Sequence, residues 1–212
     1  MVIENGNNYP VFKKNNLIIR KNVTIGFRNR RSKIIINTPC YIENDCVLEI
    51  GEVGEGVIFE NNCVLRHVSK VGSYTTFKQG VKVIDEYLPF GTNSEIIRYE
   101  SWFSEKFSIE DSFKSKNIVI GKCVWCGNNV RILRGITIGD GAIIAADSVV
   151  VEDVPPYTIV AGNPARKIDI VSERKICSST PSFEGEKAQL CFRAETGEIE
   201  INNEVILKLK SV

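Results

Sequence analysis

The stretch Ile118–Val154 reads IVIGKCVWCGNNVRILRGITIGDGAIIAADSVVVEDV, and its spacing decides the fold. Ile120, Cys126, Ile132, Ile138, Ile144 and Val150 recur at six-residue intervals. Two residues before each stands Ile118, Val124, Val130, Ile136, Ala142 or Ser148, mostly small or β-branched. A small residue often follows, as at Gly121, Gly127, Gly139 and Ala145. Turn formers that accept positive φ, such as Asn128-Asn129 and Asp140-Gly141, separate the apolar pairs. A period of six matches neither an α-helix nor the alternation of a lone strand. It fits short parallel strands joined by tight corners, three hexads closing one coil of about 18 residues. The sixth residue of each hexad then points into a narrow triangular core, and the expectation is an all-β fold.

The same period runs back toward the N-terminus with interruptions. Ile19 and Ile25 form one run, Ile36, Ile42 and Leu48 a second, and Phe59, Leu65, Val71, Phe77 and Val83 a third. The steps from Ile25 to Ile36 and from Leu48 to Phe59 are eleven rather than twelve, so each tightens a corner. Arg28, Arg30, Arg31 and Lys33 crowd the first of these and read as a solvated corner. The column is expected over residues 17–168, with residues 1–16 capping an end that would otherwise expose unpaired strand edges.

Over residues 84–117 the period lapses, and this arm loop holds seven of the chain's 18 aromatic residues. An insertion of that length in a repeat protein is functional or disordered, and aromatic density argues against disorder. Two compatible readings stand: a wall for an acceptor pocket, with rings that stack on sugar faces, or an arm packed on a neighbouring subunit. Residues 169–212 change texture. A polar stretch precedes strand-like segments at 189–193, 198–201 and 205–209, split by Thr196-Gly197 and Asn202-Asn203. They read as a small antiparallel C-terminal β appendage, suited to capping or oligomer contact.

Composition narrows the function. With 27 basic and 26 acidic residues the net charge is +1, so no face for nucleic acid is advertised. The N-terminus is polar, and no apolar run approaches the roughly 18 residues of a membrane span, which points to a cytoplasmic protein without an integral membrane segment. Seven cysteines argue against a complete disulfide framework. Cys40, Cys46, Cys63 and Cys126 occupy core positions as small hydrophobes. In Cys123-Val-Trp-Cys126 one cysteine faces out and the other in, so no shared metal or redox site is expected. The γ-type carbonic anhydrase, which is built on a similar prism, needs three zinc-binding histidines, and this chain has one.

The hexads, with the closing segment Val160-Ala-Gly-Asn-Pro-Ala-Arg-Lys-Ile168, resemble the hexapeptide-repeat acyltransferases. The resemblance implies a left-handed parallel β-helix, a hand the period alone does not specify. It also implies acetyl-CoA as co-substrate, without a metal, and a homotrimer that binds the donor in clefts between subunits. The closing segment and the long arm are most similar to the xenobiotic and capsule O-acetyltransferase branch. Acetyl transfer to a hydroxyl or amine of a capsule, O-antigen or nucleotide-linked sugar follows as the leading expectation. An antibiotic acceptor, or a non-catalytic scaffold, is the alternative.

His67, the single histidine, lies four residues before the inward Val71, at a corner. Similar His-x-x-x-(Ile/Val)-Gly segments carry the general base in hexapeptide acyltransferases of lipid A assembly and of nucleotide-aminosugars. An acceptor hydroxyl needs its proton taken, and imidazole titrates nearest neutral pH. Asp85 stands eighteen residues on, one coil away, placed to orient the ring. The branch that the arm resembles keeps its catalytic histidine at or within the arm, whereas this arm offers Asp85 and Glu86 and no histidine. Three possibilities therefore stay open: His67, a loop carboxylate, or no base for an amine acceptor. Glu86, Tyr87 and Trp102 are the acceptor-side candidates. For the donor, Gly127, Ala145 and Asn163, spaced by eighteen, would line a pantetheine path, with Ala146 beside it. Arg166 and Lys167 suit the phosphates of coenzyme A. Trp125 resembles the tryptophan that lines the acetyl site of capsule O-acetyltransferases.

Overall fold

The computed structural model describes residues 2–3, 12–14, 16–26, 33–84, 118–171, 189–193, 198–201 and 204–208. Among these there is no helix, and the chain winds as a left-handed parallel β-helix with three faces. Face one stacks Leu17–Ile19, Cys40–Ile42, Val57–Phe59, Thr76–Phe77, Trp125–Cys126, Ile143–Ile144 and Thr158–Gly162 in parallel register. Face two is built on Val23–Ile25, the first half of Val47–Val53, the first half of Val64–Val71, Lys82–Ile84, Arg131–Leu133 and Val149–Val150. Face three carries Lys33–Asn37, the second halves of the two long strands, Ile118–Ile120 and Thr137–Ile138. The first corner joins faces one and two, the second joins two and three, and the third returns to face one.

Every inward position read from the hexads is buried, from Ile19 and Ile25 through Cys126 to Val150. The reason is geometric. A column three strands around has a narrow interior, with no room for a polar group without a partner. Thr75 and Ser148 hold two of the buried positions and are both satisfied. The Thr75 hydroxyl donates to Gly121 O at 2.8 Å and accepts from Val124 N at 3.2 Å. Ser148 Oγ accepts from Gly162 N at 3.1 Å. Phe59 and Phe77, on successive coils, stack with ring centroids 5.1 Å apart and planes within 1°.

The left-handed corners need positive φ. At the first corner this falls on Asn22, Asp45, Asn62, Gly80, Asn129 and Asp147, residue types that tolerate it. The expected eleven-residue step after Leu48 appears as a shallow second corner, where Leu48, Ile50 and Val53 are all inward within the one strand Val47–Val53.

Three antiparallel strands close the N-terminal end, one on each face. Val2–Ile3 lies on Val23–Ile25, Phe12–Lys14 on Leu17–Ile19, and Gln189–Arg193 on Lys33–Asn37. The last of these continues antiparallel into Glu198–Ile201 and Glu204–Lys208. The C-terminal segment thus does not extend the far end of the column but returns to its first coil. At that far end, Thr158–Gly162 turns into Ala165–Ile170 as an antiparallel pair.

Cys40, Cys46, Cys63 and Cys126 are buried free thiols. Burial pushes the Cys40 thiol well above its ordinary range and raises Cys126 from 9.0 to about 12. Native protein at pH 8 therefore leaves these two thiols unmodified by iodoacetamide, with modification at both after unfolding in guanidinium; peptide mass spectrometry reads the difference. A folded-state pKa above the unfolded one makes the unfolded chain lose its protons first. Stability from these thiols is then complete below pH 9.0 and declines as pH rises toward about 12. Cys123 is disulfide-bonded, and Cys126 is not its partner.

Candidate active site

His67 sits at the second corner, where its coil is one residue longer than the shortened coil below. Strand Val64–Val71 pairs Leu65 with Leu48, but its next partner for Ile50 is Val68. Glu49 alone therefore faces Arg66 and His67, a bulge of two residues against one. His67 takes φ of 54°, left-handed backbone that a non-glycine residue holds only where neighbours enforce it. Its imidazole is about one-third exposed, with Nε2 3.8 Å from Glu49 Oε2. Gly26, in the coil below, makes the space: a Cβ there would come within 2.9 Å of Glu49 Cγ.

The arm begins at the same corner. Lys82–Ile84 pairs with Val64 and Leu65 on one side of His67, and Ile118–Ile120 pairs from Val68 onward on the other. The strands ending at Ile84 and beginning at Ile118 thus flank the position directly above His67. Asp85, Glu86, Tyr87 and Trp102 lie outside the described residues.

The donor-side candidates collect at the first corner, across face two from His67. Gly127 is buried, and its backbone runs against the next coil, where a Cβ would meet Ala146 N at 2.6 Å. The fold itself therefore requires glycine at this position. Ala145 stacks on it, because Gly127 N donates to Ile144 O and Ala145 N to Val160 O. Asn163 falls out of that column. The last coil is two residues short, since Val154 follows Val150 at four residues, and Ile144 pairs with Val160 rather than with a residue eighteen on. Asn163 reaches instead the rim of a groove of about 560 Å³ that runs over the first corner and onto face two.

Trp125 is 42% exposed on face one, in register with Thr76 and Ile143. Arg166 lies on the final strand, where its Nη1 meets Glu152 Oε1 at 3.2 Å and donates to Ala165 O at 2.8 Å. That pairing leaves it less available for a phosphate than its position in sequence implied. Lys167 is exposed beside it, and Ala146 is exposed next to the groove.

Within one chain, then, His67 and the donor column are held apart. Sequence reasoning missed Glu49, although the signal was present. Glu49 precedes His67 by eighteen residues, the same one-coil interval that singled out Asp85 on the other side. No group of three or more His, Cys, Asp or Glu residues able to hold a metal occurs among the described residues. Among the described residues no helix is long and apolar enough to cross a membrane.

The chain is 30% identical over 159 residues to the putative lipopolysaccharide biosynthesis O-acetyl transferase WbbJ of Escherichia coli K12, covering 67% of this chain and 80% of that protein. It is 52% identical over 59 residues to a chloramphenicol acetyltransferase of Klebsiella aerogenes, a match spanning 27% of this chain and 28% of the relative. Among solved structures it is similar to an N-acyltransferase of Bacillus cereus, AntD, crystallised with dTDP-4-amino-4,6-dideoxyglucose and coenzyme A. That likeness has a TM-score of 0.52 at 17% identity, over 75% of this chain and 83% of that one, and bears on the fold alone. No protein-family profile matches the chain.

Proposed function

The chain belongs to the hexapeptide-repeat acetyltransferases, and we propose that it moves an acetyl group from acetyl-CoA to a hydroxyl or amine of a sugar in surface-polysaccharide synthesis. The similarity to a putative O-acetyl transferase of lipopolysaccharide biosynthesis, over 67% of this chain and 80% of that protein, supports the sugar acceptor. A second observation supports the site: the one histidine stands in a bulge, beside a carboxylate, where the arm leaves the column.

In this reading the acceptor O–H or N–H lies over His67. Its oxygen or nitrogen adds to the thioester carbonyl as the imidazole takes the proton. The C–S bond then breaks, and coenzyme A leaves as the thiol with the proton returned by His67. Glu49 holds the ring from the coil below and favours the imidazolium that forms in between. Asp85, eighteen residues after His67 in sequence, is the second proposed catalytic residue, and Glu86, Tyr87 and Trp102 are the proposed acceptor-side residues. Gly127, Ala145, Ala146 and Asn163 border the donor path, with Trp125 near the acetyl end and Arg166 and Lys167 at its far end. Acetyl-CoA as donor fits a cytoplasmic enzyme.

The separation of His67 from the donor column supports a homotrimer, in which the acetyl group reaches the histidine across a subunit boundary. Face one offers a surface for that assembly. Its outward positions, in register, are Ile18, Tyr41, Ile58, Thr76, Trp125, Ile143 and Ile159, nearly all apolar or aromatic. Such a stripe on a water-facing sheet marks an interaction surface. Trp125→Glu places a charge in the middle of it and is expected to convert the trimer to monomers, read by light scattering after gel filtration. A wild-type chain that is monomeric at micromolar concentration sinks the assembly.

The acceptor is tested by thiol release from acetyl-CoA across a panel of nucleotide-linked sugars, O-antigen oligosaccharides and chloramphenicol. Release that depends on a sugar is the expected result. Dependence on chloramphenicol alone would replace the sugar with an antibiotic, and no release with any acceptor would leave a scaffold.

A further inference from the structure

The outward positions of face two, taken coil by coil, are Thr24, Val47, Val64, Lys82, Arg131 and Val149. Two cations thus stand directly opposite each other in a row of valines and a threonine. Neighbouring strands lie about 4.8 Å apart, and like charges placed directly opposite destabilise a sheet. Other charges on this column are matched between coils. Lys70 meets Glu52 at 3.1 Å, Lys122 meets Asp140 at 3.8 Å, and Lys78 pairs with Glu60. Among the described residues neither Lys82 nor Arg131 has a carboxylate partner. Asp147, the nearest acid in the groove, is engaged through Oδ1 by Asn129 Nδ2 at 3.0 Å.

Both cations line the groove of about 560 Å³, and the amides of Asn62, Gln79, Asn129 and Asn163 line it with them. Its size is that of a small-molecule site. A doubly charged anion between Lys82 and Arg131 would turn their repulsion into attraction. The guanidinium fork takes two oxygens, the ammonium supplies a second point charge, and the amides donate to what remains.

We propose that Lys82 and Arg131 form a diphosphate-binding site in this groove. The assignment rests on the acetyltransferase reading for its occupant, since the donor coenzyme A and a nucleotide-linked sugar acceptor each carry a diphosphate. It puts the phosphate contact on face two, in place of the Glu152-paired Arg166.

Calorimetric titration of wild type and of the Lys82→Ala/Arg131→Ala double variant with pyrophosphate, coenzyme A and UDP tests it. Both side chains are exposed, so the apo double variant should melt no lower than wild type. Pyrophosphate affinity is expected to fall at least tenfold in the double variant and partly in Arg131→Lys, which keeps the charge but loses the fork. An equal loss for coenzyme A alone assigns the site to the donor, and for UDP alone to the acceptor. Unchanged binding of all three probes in the double variant, or no binding of any to wild type, overturns the site. If acetyl transfer persists in that case, the enzymatic reading survives without it. If pyrophosphate binding depends on the pair while neither coenzyme A nor UDP binds, the anion site stands and the acetyltransferase reading fails.

Discussion

Acetyl transfer by a His67→Asn variant is expected to fall about 10²–10⁴-fold, the range a positioned general base contributes. Asparagine is the informative substitution because the position has φ of 54°, and asparagine accepts left-handed backbone better than most residues. The bulge against Glu49 should therefore survive, and melting temperature should stay near that of wild type. The proposed donor groove lies at a different corner, so coenzyme A affinity should also hold. The loss then appears in kcat, with little change in the KM for acetyl-CoA. Glu49→Gln is expected to cost less, because it weakens the orientation of the ring without removing the base. A His67→Asn enzyme that turns over at the wild-type rate would move the base to the arm carboxylates or remove the need for one.

The largest loss of stability is expected from Phe77→Ala. Phe77 is fully buried and stacks on Phe59 at 5.1 Å, so truncation removes a ring from a column with nothing mobile enough to fill the space. Burying a phenylalanine and then deleting it costs about 3–5 kcal/mol. At roughly 2–4 °C per kcal/mol for a chain of this size, the melting temperature should fall by about 6–20 °C. Phe77→Leu, which refills much of the volume, should recover more than half of that. A drop of only a degree or two would mean that the stack is not held in the core of the folded protein.

The fold was legible because a triangular column repeats one demand at every sixth residue. Ile120, Ile132 and Ile144 are inward for the same reason, and the short step from Leu48 to Val53 is absorbed at one corner without turning later residues outward. The candidate site was legible only in parts. His67 announced itself as the one histidine, and its corner followed from its distance to Val71. Its bulge did not, because an extra residue is visible only when the register of both neighbouring coils is known. Glu49 is one coil from His67 at the same interval as Asp85, but beyond that interval a glutamate within a regular strand carries no sequence signal that sets it apart from other outward charges. Asn163 was placed by counting eighteens, and the count broke where the second corner of the last coil lost two residues after Val150. The opposed cations of face two were hidden by the arm, which puts Lys82 and Arg131 far apart in sequence but side by side in space.

The closure of the first coil sets an order in time. Val2–Ile3 and Phe12–Lys14 are translated before the faces they cover, whereas Gln189–Arg193 is translated after every coil is complete. A nascent column therefore carries Lys33–Asn37 as a bare template until residues 189–193 have been made, open to any other extended chain nearby. A protein shortened before residue 189 would keep that template for good, and such columns would be prone to add end to end into fibres.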